Sequence, residues 1–201
     1  MKLTMWLRWM VTFATLQAGV ATAELPPASP GAARDAALRQ ELITAPDSAA
    51  VEDLRALDRR HTSRLREMVL AQGWPDTAKV GLDGVVAAFM LVQHADQDPA
   101  FQEELLPHVA AAHRHGGLPG ECVAMLTDRS LIAKGERQIH GTQSRIVNGV
   151  VKIAAVEDPD NLDQRRALLG MIPIAEYEAM LASMYHARVD STDAPPAPTW
   201  R

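Results

Sequence analysis

The chain has 201 residues, 20 Lys and Arg against 25 Asp and Glu, a formal charge of −5, and a single cysteine. Sixteen of the basic residues are Arg, interleaved with acids instead of gathered in a block, so nothing in the sequence marks nucleic acid or anionic lipid as a partner. An exported domain stapled by disulfides would need an even number of cysteines. Stability must therefore come from packing, and Cys122, in an apolar helical stretch, is expected to be a buried small hydrophobe.

The amino terminus carries Lys2 and Arg8, an apolar run over residues 9–20, and Ala21-Thr22-Ala23 before Glu24. That three-part layout is a secretory signal. The run is interrupted by Thr12, Thr15, Gln17 and Gly19, whereas a bilayer span needs about 20 mostly apolar residues. Cleavage is expected after Ala23, with a mature protein that is periplasmic or secreted and free of the membrane. Removing Lys2 and Arg8 leaves a net charge of about −7. The expected organisation is a signal peptide over 1–23, a Pro-rich linker over 24–31 (ELPPASPG), one helical domain over 32–189 and a disordered tail over 190–201.

Between the tails the pattern is helical. Residues 32–44 and 47–72 are rich in Ala, Leu and Arg, and in the second segment Val51, Leu54, Leu57, His61, Leu65 and Met68 recur at three- and four-residue spacing. Gly73 and Trp74-Pro75 end it. A helix over about 84–97 is apolar on all sides, which is the mark of a central helix, and Asp98-Pro99 predicts an N-cap and first turn for the next, running to about His115. Pro119 opens another helix over about 121–134, interrupted in character by Asp128 and Arg129. Residues 137–156 mix β-branched residues with glycine, and Val150-Val151-Lys152-Ile153 after Asn148-Gly149 predicts a short hairpin. Two helices close the domain, over 162–169 with Asn161 and Gln164 as a capping pair, and over 174–188. The fold class is mainly α, with about six or seven helices and one hairpin.

Three polar strings interrupt these apolar helices. On a wheel of about 100° per residue, Gln93 and Asp96 lie about 60° apart while His94 points to the opposite side. Asp128 falls among Ala124, Met125, Leu131 and Ile132, where a carboxylate needs a partner charge or several donors. Arg145, Arg165 and Arg166 are the candidates for an internal ion pair. The third string, Gln138-Ile139-His140-Gly141-Thr142-Gln143, follows a glycine break, and Gly141 permits close backbone approach. No zinc-type His or Cys spacing, Ser elbow, P-loop or dinucleotide fingerprint is present, so no metal, cofactor or announced catalytic class is expected.

The segments GWPDTAKVGLDGVVAAFMLVQHADQDPAFQ, LTDRSLIAKGERQIHGTQ and NLDQRRALLGMIPIAEYEAM resemble bacterial domain-of-unknown-function family 6624, over roughly residues 73–180. The resemblance implies a small helical protein, often exported, and brings no activity with it. It also implies a Tyr before Gly-Thr-Gln, where this chain has His140.

Together these strings suggest one shared pocket built from Gln93, His94, Asp96, Asp128, Arg129, Gln138, His140, Thr142 and Gln143. Such a pocket suits a binding module for a small polar ligand or peptide. It equally suits a hydrolase-type enzyme in which His94 or His140 transfers protons, Asp96 or Asp128 orients the imidazole, and Gln143 or Arg129 holds an anionic or amide-bearing substrate. In a third reading the polar groups satisfy one another and serve the scaffold alone.

Overall fold

The structure, a computed structural model, describes residues 48–189. The expected signal segment, the linker, the helix over 32–44 and the tail over 190–201 lie outside the described residues. Within them the chain is mainly α: α1 (Ser48–Gln72), α2 (Thr77–Gln93), α3 (Pro99–Arg114), α4 (Gly120–Ala133), a hairpin of β1 (Ser144–Val147) and β2 (Val150–Ile153), a 3-10 turn (Pro159–Asn161), α5 (Leu162–Leu168) and α6 (Ile174–Met184).

Contacts divide the chain into one unit ending at Asp58 and another from Arg59 onward. In the first, Leu54 and Asp58 of α1 are buried, and Glu52 and Arg55 form an exposed i,i+3 pair at 3.6 Å. In the second, α2, α3 and α4 each pack on the other two. Phe101, Leu105 and Val109 recur at four-residue spacing on α3 and are fully buried, together with Val85, Phe89 and Val92 of α2 and Cys122 and Leu126 of α4. Burying a side chain of that size contributes about 1.5–3 kcal/mol. Of the stripe expected on α1, Leu54 and Leu65 are buried as expected, whereas Met68 is 37% exposed, and Thr62, outside that stripe, is buried as well.

Three helix boundaries differ from the sequence expectation. Helix α2 begins earlier, capped by Asp76, whose carboxylate accepts from Lys79 N at 3.0 Å, and is interrupted at Gly81 (φ 71, ψ 173). It ends at Gln93, four residues short of Gln97. Asp98 must already stand outside the helix to cap α3, where it accepts from Phe101 N at 3.1 Å. The freed carbonyls of α2 are taken by Gln102, whose Nε2 donates to Val92 O (3.1 Å) and Gln93 O (3.3 Å). Helix α6 stops at Met184, because the chain turns through His186 (φ 49) and pairs with the hairpin: Val151 N donates to Arg188 O, and Arg188 N to Gly149 O, both at 2.8 Å. Asn161 makes no cap with its side chain, which donates to the Asp158 carboxylate at 2.9 Å.

The hairpin follows its turn chemistry. Asn148 (φ 51) and Gly149 (φ 74) both take positive φ, the requirement of a type I′ turn. The strands pair antiparallel from Ser144 with Ile153 to Val147 with Val150.

Candidate functional site

Asp128 faces inward from the third turn of α4 and has no exposed surface. The ion pair expected with Arg145, Arg165 or Arg166 does not form. Oδ1 instead accepts from Ile139 N (2.8 Å) and His140 N (2.9 Å), and Oδ2 from Thr142 N (2.9 Å) and Thr142 Oγ1 (2.8 Å). Four donors on one carboxylate replace its lost hydration without a cation in contact.

Two of the expected arginines do reach this loop, from its other side. Arg165 Nε donates to Ile139 O at 3.0 Å, and Arg166 Nη1 to His140 O at 2.6 Å. The peptide unit between Ile139 and His140 therefore lies between the buried anion and a guanidinium group, its N–H toward Asp128 and its C=O toward Arg165. Arg166 is 1% exposed, and burial lowers its pKa from the ordinary value. It also donates from Nε to Ile172 O (2.7 Å) and lies 4.9 Å from the Tyr177 ring centroid. Tyr177 in turn donates to Thr142 O at 3.3 Å. Its burial pushes the phenol well above the usual tyrosine range.

Gln138 closes the loop. Its Nε2 donates to Gln143 O (3.0 Å) and Ala154 O (2.8 Å), and its Oε1 accepts from Gln143 N (2.7 Å). Gln143 Nε2 donates to Thr142 Oγ1 at 3.1 Å. Gly141 has φ 71, a conformation that favours glycine, and a Cβ there would stand 2.9 Å from Ile174 Cδ1, the movable tip of that side chain.

The structure thus brings Asp128, Gln138, His140, Thr142 and Gln143 together. All but His140 are at least nine-tenths buried. The His140 imidazole is 13% exposed, its Nδ1 standing 3.4 Å from Asp128 Oδ1 without hydrogen-bond geometry. Asp96 and Arg129 form a second group: Arg129 Nη1 donates to Asp96 Oδ1 at 3.0 Å, and Gln102 Nε2 approaches the same oxygen at 3.4 Å. Asp96 lies beyond the end of α2, so the wheel that paired it with Gln93 does not apply. The two groups adjoin at positions 128 and 129 of α4. His94 is the buried C-cap of α2, donating from its backbone N to Met90 O at 3.1 Å. Gln93 is 2% exposed, and neither end of its carboxamide has a protein partner.

Gln102 and Tyr177 are the members that sequence reasoning missed. Gln102 follows the N-cap of α3 by four residues and belongs to its inward stripe with Leu105 and Val109, a spacing that could have drawn attention to it. Among the described residues no group of three or more His, Cys, Asp or Glu converges as a metal site. Cys122 is buried, and desolvation, with Glu121 nearby, raises its thiol above the usual range, which removes it as a nucleophile.

A family model matches residues 31–190, described as a family of unknown function, DUF6624. The chain belongs to DUF6624. No curated protein and no solved structure matches it. The DUF6624 match covers every residue of both polar groups, and also α1, which the resemblance in sequence did not reach.

Proposed function

We propose that this chain is an exported binding module that takes a small polar ligand or peptide at the 139–142 loop, with His140 as its contact. One observation carries the reading. The backbone of His140 is clamped on both sides, N–H to Asp128 and C=O to Arg166, while its imidazole is the member of the cluster that reaches the surface. A contact group whose backbone is fixed before binding loses little freedom on binding. The buried members are then support for that contact. Export is supported by the basic start, apolar run and Ala21-Thr22-Ala23 of the sequence.

The test is a titration followed on the histidine ring protons by NMR, with short peptides of acidic, basic and neutral character as probes. One class should move the His140 resonance saturably, and His140→Ala should abolish the shifts that the same probe causes in the neighbouring backbone amides of the 139–142 loop. If no probe moves that resonance in the folded protein, the reading fails.

The 3.4 Å approach of His140 Nδ1 to Asp128 favours a second reading, proton transfer at Nε2 with Asp128 orienting the ring. It requires turnover of ester or amide substrates that is lost in His140→Ala and reduced in Asp128→Asn.

A further inference from the structure

A cleft on another part of the chain uses none of these residues. It has a volume of about 150 Å³ and is bounded by Trp74, Val85, His108, Ala111, Ala112 and His115, with Asp76 and Thr77 at its edge. Its origin is legible in α3. Residues 108, 111, 112 and 115 follow three- and four-residue spacing, so they share one face, and two alanines between two histidines leave a hollow. Across it stands Trp74, in the turn between Gly73 (φ 76), which ends α1, and Asp76, which caps α2. Gly117 closes one end: a Cβ there would stand 3.3 Å from Thr77 Cγ2.

The Trp74 and His108 rings are nearly parallel, 17° between planes and 6.4 Å between centroids. A cavity of about 150 Å³ holds one benzene-sized ring, and aromatic pairs attract at centroid separations of about 4.5–7 Å. The remaining lining is aliphatic, except for Thr77, the half-exposed Asp76 carboxylate and the exposed His115. Asp76 Oδ1 accepts from Lys79 N and Oδ2 lies 3.6 Å from Lys79 Nζ in an exposed pair, which leaves both oxygens further acceptor capacity. A sugar would need several polar partners around its ring, and this lining supplies few.

We propose that this cleft binds a single planar aromatic or heteroaromatic ring that carries a hydrogen-bond donor, the ring stacked on the Trp74–His108 pair and the donor directed to Asp76. Phenol and imidazole are the probes, with methyl glucoside as the sugar control, added to the full chain labelled with nitrogen-15. The Trp74 indole N–H resonance, assigned by its loss in Trp74→Phe, is followed. Phenol and imidazole should move it saturably with dissociation constants of about 1 mM, the scale for so small a ligand. Ala111→Leu, which fills the hollow, should weaken both at least tenfold. Should that variant fail to fold, His108→Ala, at an exposed position, replaces it, with at least threefold weakening expected. A non-saturating response, equal binding by the filled variant, or a shift with methyl glucoside alone would overturn the proposal.

Discussion

Asp128 shows why a buried charge is a poor guide to its own partner. Its carboxylate accepts from three backbone N–H groups and one hydroxyl, so truncation strands four donors at once, each costing about 1–3 kcal/mol if left unpaired. Asp128→Ala is expected to lose at least about 3 kcal/mol in a denaturant melt. Asp128→Asn should lose less, since one acceptor oxygen remains while the amide N–H₂ opposes the donors on the other side. Gln93 is the converse case, a buried carboxamide without partners, and Gln93→Leu should be neutral or stabilising by about 1 kcal/mol. Tyr177 links the residue scale to pH. Its folded pKa is raised by burial, so the unfolded chain gives up the phenol proton first, near pH 10. The stability is fully present below that value and falls as pH rises above it. Tyr177→Phe should flatten this alkaline decline, measured as the midpoint of unfolding against pH, at a cost of about 0.5–1.5 kcal/mol at neutral pH for the lost hydrogen bond to Thr142. A decline unchanged in the variant would show that another group causes it.

At the scale of elements, the joints depend on small residues where backbones meet. Gly120, the first residue of α4, lies against the carbonyl end of α5: a Cβ there would run into Leu169 O and approach its C at 2.8 Å and Cα at 2.9 Å. Backbone atoms cannot rotate away as a side chain can. Gly120→Ala should therefore reach or exceed the upper end of the about 1–3 kcal/mol that overpacking costs, whereas Gly135→Ala, whose Cβ would meet nothing within 4 Å, carries only the strain of its positive φ. Equal melts for the two variants would remove the proposed steric joint. The elements themselves were largely legible. Asp98-Pro99, Asn148-Gly149 and Gly73 each impose a local conformation that needs no tertiary partner. Of the boundaries that moved, those at Gln93 and Met184 are where a distant group takes over a terminal backbone, Gln102 for α2 and the hairpin edge for the segment after α6, whereas the earlier start of α2 follows its local Asp76 cap.

For the molecule as a whole, intact-mass analysis of exported material should show a chain beginning at Glu24, and a full-length chain retained at the membrane would refute the signal-peptide reading. Residues 31–190 carry the family likeness, and the three polar strings were visible because demanding polar groups amid apolar helices stand out in any periodicity. By itself the sequence determined the mainly α class, the turns, the burial of Cys122 and the inward position of Asp128, since each follows from local pattern or conformational preference. Only the tertiary structure decided what those polar groups do. It divided them between the Asp128 loop and the Asp96–Arg129 pair, set Arg165 and Arg166 on loop carbonyls instead of the carboxylate, and opened the cleft between Trp74 and α3. The physical reason is that a backbone N–H or C=O exists at nearly every position and carries no signature in sequence, so a charge that is stabilised by backbone donors has partners that only three dimensions reveal.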